Sequence, residues 1–218
     1  MNSKMLLVNI FVILVILAGG GAAAYYYNES VNYVKTDNAR IDGQQVTIAA
    51  LTAGKLVEWT GQVGKSYNGG EKVGSIQPGA TAAAAAPAKV DIDVPITATI
   101  VQQSVVPNGY VSPGTVLARA YDLGSLWVTA NIDEASINNV KSGQAVDVYV
   151  DAFPGTTLTG RVDKIGLTTA GTFSLLPTSN TNANYTKVRQ VIPVTILIDG
   201  YKGLAIAPGM SATVRVHI

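Results

Sequence analysis

The chain divides into one long uncharged stretch and many short alternating ones. From Met5 to Tyr27 (MLLVNIFVILVILAGGGAAAYYY) no residue carries charge. A helix of that length spans roughly 35 Å at about 1.5 Å per residue, enough to cross a hydrocarbon core of about 30 Å. Lys4 precedes the run and Tyr25, Tyr26 and Tyr27 follow it, a distribution that sets the N-terminus in the cytoplasm and everything after Asn28 outside. A cleaved signal peptide has the same ingredients, including small residues from Gly21 to Ala24. Retention is the better reading, because the run outlasts a usual signal core of about 7–15 residues. Gly19, Gly20 and Gly21 lower helix propensity, yet in lipid they let another helix approach closely.

Two stretches after the anchor align at a constant offset of 44 residues, Val46 to Ile76 and Val90 to Ala120. Val46 pairs with Val90, Ile48 with Ile92, Leu56 with Ile100, Val57 with Val101, Tyr67 with Val111, Gly70 with Gly114 and Val73 with Leu117. Each stretch alternates apolar and polar residues over short runs, split by Asn68-Gly69-Gly70 in one and Ser112-Pro113-Gly114 in the other. That is a strand, turn, strand pattern, twice. A four-strand half buries one face only, so the two halves are expected to clasp into one sandwich. Between them GATAAAAAPA, from Gly79 to Ala88, reads as a short flexible or partly helical connection, since ten residues closed by Pro87 are marginal for an isolated helix.

The remaining chain keeps the alternating pattern. Leu126 to Ile132, Ala145 to Val150 and Leu158 to Ile165 read as strands, with a turn at Phe153-Pro154-Gly155. Asp133 is expected to cap a short helix in which Ile137 and Val140 share a face, ended by Gly143. Thr178 to Asn184 reads as a surface loop, and Lys187 to Ile198 as a long strand in which Pro193 marks an edge or a bulge. Ala207-Pro208-Gly209 turns the chain into a last strand, Ser211 to Ile218. The pattern is that of an antiparallel barrel.

Composition narrows the chemistry. With 15 basic and 14 acidic residues the chain has no electrostatic stripe to follow a phosphate backbone, so nucleic acid is not an expected partner. No cysteine is present, which removes disulfides, thiolate metal sites, lipidated cysteine anchors and a cysteine nucleophile. His217 is the one histidine and sits one residue from the end, so a histidine-dependent triad or a multi-histidine metal centre is hard to assemble; it reads as an ordinary strand residue. Asp91 and Asp93, and approximately Asp147 and Asp151, share strand faces without a histidine, glycine-rich loop or cleft residue nearby, and solvated strand edges account for them. Asp133-Glu134 fits the first turn of the short helix, and there is no Walker-type loop.

The anchor, TDNARIDG from Thr36 to Gly43, the split repeat, LWVTANIDE, VDAFPG and the terminal APGMSATVRV together resemble the HlyD/EmrA family of membrane fusion proteins, over nearly the whole chain. The most specific piece lies between Thr172 and Ile196, where TFSLLP is followed by NYTKVRQVIPVTI. The resemblance implies a mainly β protein with an N-terminal transmembrane helix, a split lipoyl-like β-sandwich and an antiparallel β-barrel domain. The expected parts are an anchor at 1–27, a lead-in strand at 28–45, the split lipoyl-like domain at 46–122 with its linker at 77–89, and the barrel at 123–218. Function is implied with it: an extracytoplasmic or periplasmic adaptor, homo-oligomeric, working with an exporter of the cytoplasmic membrane, commonly of major facilitator type and alternatively of ABC type. One departure stands out. Family members that reach an outer-membrane channel insert a long α-helical hairpin between the lipoyl halves, whereas Gln77 to Lys89 would give only about 20 Å of helix even undivided.

The leading expectation is therefore a non-enzymatic scaffold of an efflux system, without cofactor, metal or catalytic residues, anchored in the bilayer through residues 5–27. Its candidate partner-contact turns are Asn68, Gly69 and Gly70; Ser112, Pro113 and Gly114; and Phe153, Pro154 and Gly155. Two alternatives differ in class. A free-standing surface binding protein would need no exporter. A lipoyl or biotinyl carrier would need Lys89, the only lysine in the junction, but AAAAAPAKV lacks the acidic or methionine neighbours that carriers place beside it.

Overall fold

The computed structural model describes residues 3–79, 88–172 and 189–218. Most of the linker, the loop expected from Thr178 to Asn184, and much of the Thr172 to Ile196 segment lie outside the described residues. Helix α1 (Ser3–Asn32) carries the uncharged run, and Phe11–Glu29 within it is long and apolar enough to cross a membrane. Strands follow as β1 (Tyr33–Asp42), β2 (Gln45–Ala49), β3 (Gly54–Trp59), β4 (Ser66–Tyr67), β5 (Lys72–Pro78), β6 (Val90–Asp93) and β7 (Ala98–Gln103). Then come β8 (Tyr110–Val111), β9 (Val116–Tyr121), β10 (Trp127–Asp133), β11 (Ala145–Val150), β12 (Thr157–Ile165), β13 (Val191–Ile198) and β14 (Ser211–His217). The chain forms two compact units, one holding Met1–Arg40, Val128–Ala205 and Met210–Ile218, the other Ile41–Trp127 and Ile206–Gly209.

The second unit is a sandwich of two four-stranded sheets, ordered β2-β9-β7-β4 and β6-β5-β3-β8. Each sheet takes two strands from each half of the repeat, so the halves interleave instead of stacking two half-sheets face to face. Four strands pair with the opposite half: β2 with β9 and β4 with β7 on one sheet, β6 with β5 and β8 with β3 on the other. Alternation sets the buried face: Ile48, Leu56, Val73, Ile76, Ile92, Val94, Ile100, Leu117 and Ala120 form one core drawn from both halves. Burying each large aliphatic side chain contributes about 1.5–3 kcal/mol relative to exposure, and here that gain is available only when both halves are present.

The repeat extends to individual hydrogen bonds. The Gly64 amide donates to the Ile100 carbonyl and the Asn108 amide to that of Leu56; likewise Thr60 donates to Val73 and Ser104 to Leu117. Each bond maps onto its mate by the offset seen in the sequence. Gly64 and Asn108 both adopt positive φ, at 86° and 63°. Asparagine is one of the few residues other than glycine that visits this region routinely. Register shifts recur at matched places, between Leu56 and Glu58 and between Ile100 and Gln102. Trp59 and Gln103, themselves mates, meet directly through Trp59 Nε1 donating to Gln103 Oε1 at 3.4 Å.

The first unit contains a closed six-stranded barrel in the order β1-β10-β13-β12-β11-β14. Inward positions alternate along β10 (Val128, Ala130, Ile132), β11 (Val146, Val148, Val150) and β14 (Ala212, Val214, Val216), all buried. Closure corrects one expectation: Pro193 sits inside β13, between β10 and β12, and not on an edge. The irregularity proline signals is a register shift on the neighbouring β12, between Val162 and Lys164, and the Pro193 carbonyl accepts from Gly166 N at 2.7 Å. Gly160 is needed on β12, because a Cβ there would come within 2.3 Å of the Leu197 carbonyl oxygen.

The expected short helix is a single 3₁₀ turn, Ile137–Asn139, with Ser136 at its N-cap and Val140 at its C-cap. Asp133 instead ends β10, its carbonyl accepting from Ser136 N at 2.9 Å, while the Glu134 amide donates to Gln190. Gly143 does turn the chain, at φ 88°. Three residues give too few backbone bonds to propagate an α-helix once nucleated.

Candidate partner-contact surfaces

The Asn68 to Gly70 turn joins β4 to β5. The Glu71 amide closes it on the Asn68 carbonyl at 3.0 Å, and the Glu71 carboxylate accepts from Asn68 N at 2.9 Å. Gly70, at φ 81°, donates to the Val94 carbonyl at 2.7 Å. Gly69 N reaches Thr97 Oγ1 at 3.2 Å. The turn is thus held by the loop that follows β6. The Ser112 to Gly114 turn, with Pro113 exposed, copies it: Thr115 N to the Ser112 carbonyl at 3.0 Å, Ser112 N to Thr115 Oγ1 at 3.2 Å, and Gly114, at φ 83°, to the Ala50 carbonyl at 2.8 Å.

The two turns cap opposite ends of the sandwich. Tyr67 pairs with Ala98, and Thr99 with Tyr121, which pairs with Gln45; the first turn therefore lies where the chain enters β2 and leaves β9. Val111 pairs with Gly54, and Gly54 with Pro78, so the second turn lies where the linker leaves β5. Their surroundings differ in degree: beside the first turn Ile96 is 37% exposed. Beside the second turn stand Leu51, 73% exposed, and Tyr110, 84% exposed. Their mates at the other end are Pro95 and Ser66. Sequence patterning missed this contrast, although aligning the repeat and asking where a large side chain replaces a small one without entering the core would have found Tyr110 against Ser66 and Leu51 against Pro95.

Phe153, Pro154 and Gly155 form the β11 to β12 hairpin of the barrel, the Phe153 amide donating to Val150 at 2.9 Å and Gly155 adopting φ 89°. Phe153 is half-buried, while Pro154 and Gly155 are exposed. The barrel also has a polar groove of about 620 Å³ beside the Thr36 to Asn38 irregularity of β1, lined among others by Lys35, Asp37, Asn131, Asp133 and Arg189. Thr36 Oγ1 donates to the Asn131 carbonyl at 2.8 Å, and Asn131 Nδ2 to Asn38 Oδ1 at 3.1 Å. The TDN stretch therefore acts as a side-chain clasp between β1 and β10.

Charges on the β6-β5-β3 face form one network. Lys89 Nζ lies 3.0 Å from Glu58 Oε1, Lys72 Nζ lies 2.7 Å from Asp91 and 3.5 Å from Glu58, and Ser75 donates to Glu58 at 3.1 Å. The hydrogen bond from Lys89 foremost, then that from Ser75 and the two lysine charges, holds the Glu58 carboxyl below its ordinary range; Asp91 chiefly raises Lys72. Lys89 is accordingly an ion-pair partner on the sheet. His217 lies on β14, its Nε2 2.9 Å from Asp147 Oδ2. Among the described residues no three His, Cys, Asp or Glu side chains gather as a metal site.

A transmembrane-length helix, an interleaved two-half sandwich and a closed barrel define an adaptor architecture. Residues 125–217 match the family "CusB-like, beta-barrel domain". The chain belongs to the membrane fusion proteins of the efflux-adaptor type. It is 39% identical over 214 residues to the putative efflux system component YhbJ of Bacillus subtilis, covering 98% of this chain and 93% of that protein. It is 34% identical over 125 residues to the colistin resistance protein EmrA of Acinetobacter baumannii, covering 57% of this chain but only 35% of that longer protein. In fold it is similar to the solved periplasmic adaptor protein EmrA, with TM-score 0.55, 10% identity and coverage of 86% of this chain and 99% of that one.

Proposed function

We propose that this protein is a non-catalytic adaptor subunit that docks on an exporter of the cytoplasmic membrane, of major facilitator type, from the extracytoplasmic side. α1 holds it in the bilayer with the N-terminus in the cytoplasm, and several copies assemble around the partner. Substrate movement draws on the exporter's energy; the adaptor holds one exporter conformation better than another. The observation that carries this reading is the match to an efflux component along nearly the full length of both chains. The split sandwich supports it, because its halves are joined by the short stretch Gly79 to Lys89, with no room in the sequence for a long α-helical hairpin. Of the candidate turns, Ser112 to Gly114 is the favoured contact, since Leu51 and Tyr110 flank it with exposed apolar surface. The turns at Asn68 to Gly70 and Phe153 to Gly155 are supporting contacts.

The test is photo-crosslinking in native membranes from position 110, with position 66 as the matched control, followed by mass spectrometry. Recovery of a polytopic transporter from position 110 is expected. Recovery of nothing but the protein itself from both positions would overturn docking and favour a free-standing surface protein.

A further inference from the structure

α1 passes into β1 with no residue between Asn32 and Tyr33. Its last turn contains no basic residue, so nothing on the helix itself offsets the negative end of its dipole. β14 supplies what is missing. The Arg215 guanidinium lies 3.7 Å from Glu29 Oε1 and 3.5 Å above the Tyr33 ring, and its Nε is buried with no hydrogen-bond partner among the described residues. Two positions along β14, His217 meets the edge of the same Tyr33 ring at 4.9 Å between centroids and reaches Asp147 on β11. The Ile218 amide donates to the Asn32 carbonyl at 2.9 Å, and Asn32 Nδ2 donates to Asn28 Oδ1. Tyr33 is thus clamped on its face by a cation and on its edge by an imidazole, both from β14.

We propose that β14 is a strap that fixes the exit of the anchor to the barrel, so that α1 and the barrel turn as one body. A flexible tether would need solvated residues between helix and strand; here the backbone is continuous and four side chains from three elements close over it. A rigid joint makes the rotational setting of α1 in the bilayer decide which barrel surface faces a neighbour, so the anchor orients the protein as well as retaining it. The inference concerns the joint alone and stands whatever the barrel docks on.

The chain has no cysteine, so two introduced ones take spin labels cleanly. With Ala24→Cys on α1 and Thr159→Cys on β12, both exposed, full-length protein in phospholipid nanodiscs should give one narrow inter-label distance. Arg215→Gln should raise the undocked share by about two- to five-fold, the range expected for an ion pair of this exposure, and broaden the distribution. Glu29→Gln, which leaves the barrel sequence untouched, should broaden it by less. A broad distribution in the unsubstituted chain, or a narrow one unchanged in both variants with the barrel folded by near-ultraviolet circular dichroism, would overturn the strap.

Discussion

The two ends of the sandwich share a backbone and differ in what they show to solvent. At each end a short exchanged strand, a turn closed by a side chain on its own amide, and a glycine at φ 81° or 83° repeat almost bond for bond. Yet Ser66 and Pro95 stand at one end where Tyr110 and Leu51 stand at the other. Backbone hydrogen bonding and the buried face are under a common folding constraint in the two halves. Exposed positions carry no such constraint, so the two halves are free to differ there, and the proposed contact at the linker end rests on that difference. The same holds for the faces: Glu58, Lys72, Lys89 and Asp91 knit one sheet, while their mates Gln102, Val116, Gln45 and Thr47 include no charge.

Removing core from each half breaks or sharpens this comparison most strongly. Leu56 and Ile100 are mates, 1% and 0% exposed, and truncating either to alanine should cost about 2–5 kcal/mol, by closely similar amounts, in urea unfolding. Very unequal costs would show that the halves are equivalent in path but not in packing. Next come the turns. Gly70→Ala and Gly114→Ala each force a Cβ into the left-handed region and should lose about 1–2 kcal/mol, read as matched falls in melting temperature. Smaller, and of opposite sign, is Asn108→Gly, which restores the residue its mate Gly64 already has; a gain of up to about 1 kcal/mol is expected.

The end contrast predicts a split between stability and contact. Leu51→Ser should leave stability within about 0.5 kcal/mol while sharply weakening the crosslink formed from position 110. Equal loss on altering the Ser66 end would remove the asymmetry argument. The weakest expected effect is electrostatic. Because Lys89, Ser75 and Lys72 depress the Glu58 carboxyl, its contribution is intact above the ordinary carboxylate range and is lost as pH falls through the lowered value. Glu58→Gln should therefore lower stability slightly at neutral and mildly alkaline pH and flatten the acid limb, the two unfolding curves converging once pH falls below the lowered value.

Much of the architecture was legible because it is periodic. The offset between the halves carries β3 onto β7 and β4 onto β8 with identical bounds, and the glycines at 70 and 114 mark both turns. The strand at Ala145 to Val150 appears with the expected limits, since alternation there is clean. The short helix expected after β10 rests on the helical spacing of Ile137 and Val140, and only Ile137–Asn139 takes helical form, as one 3₁₀ turn.

The residues alone determined where strands begin, which face of each is buried, where the chain reverses, and that one helix can span a bilayer, because each of these follows from local sterics or from a period of two or 3.6. Only the tertiary structure decided what each buried face meets. The exchange of β2, β4, β6 and β8 between halves, the closure that puts Pro193 inside a barrel, the Trp59 to Gln103 bond and the clamp of Arg215 and His217 on Tyr33 all join positions far apart in the chain. Alternation reports that a side chain leaves water and is silent about its neighbour, and it is the neighbour that sets the joint and the surface.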